Sequence, residues 1–201
     1  MGIIVRCRPY WLLLTAMFFY TAGEVALSGW IPTLLTGGGL AAEHASVGVS
    51  IFWLGLTLGR AVCARLSGKI KGRALLILLA GAAALFLLPF GCPLGVLAQL
   101  SLVLAVGFSF SGIFPLILLE GAALFPDYVH LTTSGLMVAA SLGGTAGPAL
   151  LGLIGEYYSL QKGIFALAGV MVVTTAIFLL LPIAKRRELA PSGKTGAKET
   201  N

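Results

Sequence analysis

A single carboxylate stands inside an otherwise apolar run of the sequence. Between residues 10 and 35 the only charged side chain is that of Glu24. Tyr20 and Ser28 lie four residues to either side of it, so on an α-helix the three polar side chains form one stripe. A carboxylate between two hydroxyls can exchange a proton or bind a polar ligand. It can equally do no more than hydrogen-bond a neighbouring helix.

The composition indicates that this run lies in a membrane. Hydrophobic residues make up 58% of the 201 residues, charged residues 10%, and the mean hydropathy is +1.01. Soluble domains contain about 45–50% apolar and about 25% charged residues. The net charge of +6 does not favour a nucleic-acid partner, because the basic residues are confined to short breaks between apolar runs. The lipid bilayer is therefore the expected surroundings.

Six apolar stretches are long enough to cross a bilayer, which takes about 20 residues. The sequence thus predicts an all-α membrane protein with a cytoplasmic segment over 1–9, a transmembrane domain over 10–184 and a basic, disordered tail over 185–201. The predicted spans cover residues 10–35, 45–66, 74–92, 94–119, 132–155 and 163–184.

The basic residues predict the orientation of these spans. An even number of spans places both termini on one side, and twelve of the thirteen Lys and Arg residues fall on that side. Lys162 is the exception. Because basic loops stay in the cytoplasm, both termini are expected there, with the protein in the plasma membrane.

Two glycine pairs predict close helix packing. Gly55 and Gly59 lie in the second span and Gly143 and Gly147 in the fifth, each pair four residues apart. Such spacing lets helix backbones approach closely. The pairs occupy the middle spans of two triplets, as expected for two inverted three-helix repeats. Pro148 is expected to bend the fifth span against this groove.

Several segments resemble a known family. FFYTAGEVALSGWIPTLL (18–35), SIFWLGLTLGRAVCARLSGKIKGR (50–73), VGFSFSGIFPLILLEGAALFPD (106–127) and TTSGLMVAASLGGTAGPALLGLIGEYYSL (132–160) are similar to the C-terminal half of major facilitator superfamily transporters. Within that superfamily these segments are most similar to the fucose/glucose–galactose type of sugar:proton symporter. That family has twelve helices where this chain has six. Its basic loop also carries an acidic residue where this chain has Gly68.

The resemblance implies transport of a small polar solute, such as a sugar, by proton-coupled alternating access. No cofactor or metal is implied. The chain would need an N-terminal half or a second copy of itself to enclose a site. The alternative is a truncated or split remnant that acts as a membrane interaction partner. An enzyme is not expected, since the sequence contains no paired carboxylates at suitable spacing, no HExxH and no GxSxG.

The same resemblance makes the first and fourth spans the lining of a cavity. The candidate substrate or proton-coupling residues are Tyr20, Glu24, Ser28, Trp30, Gln99 and Ser111. For Gln99 an amide exposed at the interface is the alternative, and for Ser111 a hydrogen bond to its own backbone. Ser28-Gly29 and Pro32 predict a weak point in the first span.

The basic breaks and their acidic neighbours are candidates for gating. An ion pair between Glu120 and Arg65 or Arg73 would close the inner face. Arg60 is expected either to snorkel to the headgroups or to pair with Asp127 or Glu120. The candidate residues of this group are Arg60, Arg65, Lys69, Arg73, Glu120 and Asp127.

Overall fold

The computed structural model describes residues 4–92 and 94–182, and within them the chain is helical, without strands. The predicted tail lies outside the described residues. The α-helices, in chain order, are α1 (Arg8–Gly37), α2 (Ala42–Ala45), α3 (Val47–Leu66), α4 (Gly72–Leu87), α5 (Val96–Phe110), α6 (Ile113–Leu124), α7 (Val129–Tyr157) and α8 (Leu160–Leu180).

These helices make six spans that are long and apolar enough to cross a membrane. They are α1, α2 with α3, α4 with the 3₁₀ turn Leu88–Gly91, α5 with α6, the turn Pro126–Tyr128 with α7, and α8. The prediction of an all-α chain with six membrane helices is confirmed.

Local sequence explains where the first span begins and ends. Pro9 stands in the first turn of α1, where a missing N–H costs no hydrogen bond. At the other end Gly38 takes the C-cap position and Gly39 adopts a φ of 97°, a left-handed conformation that glycine tolerates. The following segment can therefore turn back into the second span.

Three helix pairs dominate the packing: α1 with α7, α3 with α5, and α4 with α8. In terms of spans these are the first with the fifth, the second with the fourth, and the third with the sixth. If the first three spans are exchanged in order with the last three, the same three pairs result. The packing therefore has the two-fold pattern expected of two three-span repeats.

The glycines of α3 lie directly against the backbone of α5. A Cβ on Gly55 would come 2.4 Å from the Leu104 carbonyl oxygen, and one on Gly59 would come 2.7 Å from that of Phe108. Such distances leave no room for a side chain. Both glycines thus allow the second and fourth spans to touch through their main chains.

The glycines of α7 meet α1 in the same way. A Cβ on Gly143 would lie 2.2 Å from the Phe18 carbonyl oxygen, and one on Gly147 would lie 2.1 Å from that of Ala22. The glycine pairs are 88 positions apart (143 − 55 and 147 − 59), and the carbonyls that they meet are 86 apart (104 − 18 and 108 − 22). The two triplets use equivalent residues for equivalent contacts.

A break in the helical backbone falls near the middle of the fourth span, whereas the sequence predicts a weak point in the first. Helix α1 runs through Pro32 to its end, and α7 runs through Pro148. The fourth span instead divides at Ser111 and Gly112, between α5 and α6. Pro115, in the first turn of α6, has no N–H to offer the Ser111 carbonyl, and glycine is a poor helix former, so this turn is weakened twice.

Candidate functional site

Tyr20 connects the first span to the break in the fourth. Its side chain is fully buried, and its hydroxyl donates a hydrogen bond of 3.2 Å to the Phe110 carbonyl oxygen. The Tyr20 ring also packs on the rings of Phe110 and Phe114, with centroids 5.8 and 6.4 Å away. Since Phe110 is the last residue of α5, the contact reaches the end of that helix beside the Ser111–Gly112 turn.

Glu24 lies one turn further along α1 and is 9% exposed. Its carboxylate stands one turn beyond the Tyr20 hydroxyl on the same helix face, and Arg60 on α3 acts on it through its charge without a direct ion pair. An acceptor and a phenol thus lie close together, with a guanidinium in their neighbourhood, between the first, second and fourth spans. A carboxylate within a membrane helix is costly and usually functional, and this set of groups suits a ligand with several hydroxyls.

Ser28 and Ser111 use their hydroxyls on their own helices. The Ser28 hydroxyl donates to the Val25 carbonyl oxygen at 3.0 Å, and that of Ser111 to the Phe108 carbonyl oxygen at 2.7 Å. Ser111 is fully buried, with its oxygen 3.8 Å from the sulfur of Cys63 on α3. For Ser111 this is the backbone-bonding alternative that the sequence left open, and Ser28 bonds its own helix in the same way.

Trp30 lies on the α7 side of the first span. Its ring faces the smallest residues of that helix, because Cβ atoms on Gly152 and Gly155 would sit 3.4 and 3.9 Å from ring atoms. The side chain is half-buried. Trp30 therefore packs between the first and fifth spans, six residues beyond Glu24.

Gln99 lines a separate cavity at the end of the bundle where α1 ends and α5 begins. It is 8% exposed, so the alternative of an exposed interfacial amide is wrong. Its Nε2 donates to the Leu94 carbonyl oxygen at 3.0 Å, and its Oε1 has no hydrogen-bond partner among the described residues. The cavity measures about 520 Å³ and is also lined by Thr33, Phe90 and Gln161. Because Thr33 follows Glu24 by nine residues, the cavity lies about 13 Å further along the helix axis.

Arg73 and Glu120 organise the opposite end of the bundle. The Arg73 guanidinium on α4 donates to the carbonyl oxygens of Phe178, at 3.0 Å, and of Leu179, both in the last turn of α8. The Glu120 carboxylate lies against Gly72 and beside the backbone N–H of Arg73, in the first turn of α4, and its Oε2 has no hydrogen-bond partner among the described residues. The expected ion pair thus takes another form, in which each charge caps a helix end of opposite polarity.

The other candidate gating residues lie at the protein surface. Arg65 lies in the last turn of α3, Lys69 in the turn before α4, and Asp127 in the 3₁₀ turn before α7, all with exposed side chains. Arg60 is exposed too, and it forms no direct ion pair with Asp127 or Glu120. Among the residues that the structure describes, no three His, Cys, Asp or Glu side chains cluster as metal ligands would.

Two partners in this region were not expected from the sequence. The Phe110 carbonyl is a backbone group and carries no side-chain signal, although Gly112 and Pro115 beside it indicate a weakened helix. The two α8 carbonyls bound by Arg73 lie more than 100 residues away, and nothing in the sequence pattern pairs them with it.

Comparison with known proteins supports a transporter. No protein-family model matches the chain. The glucose/mannose transporter GlcP of Bacillus subtilis (strain 168) is 26% identical over 162 residues. The chain is an integral membrane protein similar to a sugar transporter. The matched region covers 80% of this chain but only 40% of the relative, so the match spans well under half of that transporter's length.

Proposed function

We propose that this chain is one six-helix half of a secondary transporter that moves a small polar solute, such as a sugar, by alternating access. The observation that carries the proposal is the buried hydrogen bond of Tyr20 to Phe110 at the break in the fourth span, with the buried Glu24 carboxylate one turn along the same helix. Interrupted membrane helices commonly form transporter binding sites, because their freed backbone groups and flexible turns serve binding and movement. The similarity to a glucose/mannose transporter supports a sugar as the solute.

The segments similar to major facilitator transporters favour the C-terminal half, of the fucose/glucose–galactose type. In that arrangement Glu24 couples proton movement to the solute, both termini lie in the cytoplasm and the membrane is the plasma membrane. The two-fold packing of the spans agrees with the repeat structure of such a half.

The other half of the transporter would cover the second and fifth spans, which are the least buried of the six. Their exposed hydroxyls already bond to carbonyls four residues earlier: Ser134, Ser141 and Thr145 on α7 and Thr57 on α3. These faces can therefore pack against another apolar helix without leaving a donor unpaired. An N-terminal half or a second copy of the chain is the proposed partner.

Uptake by the complete assembly tests this function. The chain would be isolated from its native membrane with whatever partner accompanies it, and reconstituted into liposomes carrying a proton gradient. We expect labelled glucose or mannose to accumulate, and Glu24→Gln to abolish the gradient-driven accumulation. Glu156→Gln is the matched control, because Glu156 is an exposed carboxylate in the last turn of α7. This variant should transport normally. Absence of accumulation by the wild-type assembly would contradict the proposal and favour a non-transporting membrane partner.

A further inference from the structure

The Tyr20 hydroxyl has one proton and two acceptors beside it. It donates to the Phe110 carbonyl oxygen at 3.2 Å, and the Glu24 carboxylate stands one turn further along the same face of α1 as the second acceptor. A phenol carries a single donor and two acceptor lone pairs, so it cannot donate to both groups at once. Which group receives the proton depends on the protonation state of Glu24.

Two hydrogen-bond arrangements follow. When Glu24 is protonated, its own O–H donates to the Tyr20 oxygen, and the phenolic proton stays on the Phe110 carbonyl. When Glu24 is ionised, its charge makes it the stronger acceptor and draws the phenolic proton away from Phe110. The bond between α1 and the end of α5 then exists in one state and is lost in the other.

The bond that changes lies where the fourth span resists bending least. Phe110 adjoins the Ser111–Gly112 turn, and Pro115 leaves the Ser111 carbonyl without its usual intrahelical donor. Few backbone bonds therefore hold α5 and α6 in line. A hydrogen bond from another helix at this place fixes the end of α5, and its loss leaves the turn free to change angle.

We propose that Tyr20 is a proton-controlled latch, which ties α1 to the end of α5 while Glu24 is protonated and releases the break in the fourth span when Glu24 ionises. The proposal rests on the proposed function, since it gives the step by which a proton on Glu24 changes the shape of the transporter.

The surroundings of Glu24 leave few other groups to govern this step. Arg60 on α3 is the charged group of another element that interacts with Glu24, among the residues described. The helices that pack on α1 just before Glu24 bring no charge there: the Met171 methyl group lies near Gly23, and Gly147 lies against Ala22.

The bend of the fourth span can be measured with two spin labels placed on either side of the break. Ser101→Cys on α5 and Leu119→Cys on α6 are exposed positions, and Cys7 and Cys92 would be replaced by serine. Distances between the labels would be recorded by double electron–electron resonance in lipid nanodiscs between pH 5 and pH 9. For the wild-type side chains we expect a distance distribution that shifts with pH.

The variants separate the latch from other effects of pH. Glu24→Gln should hold the low-pH distribution throughout, because its neutral amide can donate to the Tyr20 oxygen as the protonated acid does. Tyr20→Phe should give one distribution that no longer depends on pH. Tyr10→Phe removes another buried phenol from the same helix and should keep the wild-type response.

A pH response that persists in Tyr20→Phe or in Glu24→Gln would overturn the latch, and so would a wild-type distribution that never shifts. If Tyr20→Phe does not fold, Glu24→Gln alone decides the question. Sugar uptake is read separately. If the pH response of the label distance is absent but uptake still depends on Glu24, the latch is wrong and the proposed function stands. If the pH response is present but no uptake is found, only the transport proposal is wrong.

Discussion

Gly147 of α7 lies so close to Ala22 of α1 that a Cβ on the glycine would come 2.1 Å from the alanine carbonyl oxygen. The obstacle is main chain, which cannot rotate aside as a flexible side chain can. The first and fifth spans, the most extensively packed pair in the bundle, thus depend on a residue without a side chain.

Replacing Gly147 by alanine should therefore destabilise the bundle. Overpacking a close contact costs about 1–3 kcal/mol, and here the two helices would have to separate to relieve it. The loss of stability would be measured by heating the protein in detergent and using size-exclusion chromatography to quantify the fraction that stays folded. Gly169→Ala on α8 is the control, since its Cβ would meet no atom within 4 Å. Equal melting temperatures for the two variants would contradict the prediction.

The two-fold packing pattern makes a second prediction. Gly55 meets the Leu104 carbonyl oxygen as Gly143 meets that of Phe18, at 2.4 and 2.2 Å from their Cβ positions. Gly55→Ala and Gly143→Ala should therefore lower stability by similar amounts, again about 1–3 kcal/mol. The same unfolding assay would compare them. A large effect of one variant beside a negligible effect of the other would show that the triplets are not equivalent in packing.

These contacts show how far the sequence alone could lead. The glycine pairs and the six apolar runs are repeated local patterns, so they predicted both the helices and the close-packed positions. The partner of Tyr20 could not be predicted, because it is a backbone carbonyl of a distant span. The break at Ser111–Gly112 was not predicted, and the weak point predicted at Ser28-Gly29 and Pro32 does not interrupt α1, because the one hydrogen bond that a proline removes can be offset by surrounding packing.

Arg73 gives a third prediction. Its guanidinium binds two carbonyls at the end of α8, where the helix leaves such groups without intrahelical partners. Hydrogen bonds to charged groups contribute about 1.5–3 kcal/mol, so Arg73→Gln should lower the melting temperature and expose the end of α8 to added protease. Lys71→Gln, an exposed residue two positions earlier, should change neither. Unchanged protection of α8 in Arg73→Gln would show that these bonds contribute little.

The orientation of the spans is tested by labelling lysines. Lys69 follows the second span, and Lys162 begins the sixth, beside the ring of Tyr158 at 5.2 Å. With the termini in the cytoplasm, an impermeant amine reagent added outside intact cells should label Lys162 and spare Lys69. Lysis of the cells should make Lys69 reactive and serves as the control. Labelling of Lys69 in intact cells would reverse the proposed orientation.

Thr132 offers a substitution that should raise stability. This α7 residue is 1% exposed, and its hydroxyl oxygen has no hydrogen-bond partner within the described part of the chain. A buried unpaired polar group costs about 1–3 kcal/mol, and valine has nearly the same shape without the hydroxyl. Thr132→Val should therefore increase the free energy of unfolding, measured as a higher melting temperature.

Thr174→Val on α8 is the matched comparison for that change. Its hydroxyl, on an equally buried side chain, donates to the Val170 carbonyl oxygen at 2.8 Å, so its removal gives up a satisfied bond. We expect this variant to be neutral or less stable than the wild type. If both threonines respond alike, the Thr132 hydroxyl must have a hydrogen-bond partner in the folded protein. The contact of Thr132 with α6 at Gly121 would then include a polar interaction that stabilises the packing of α7 on α6.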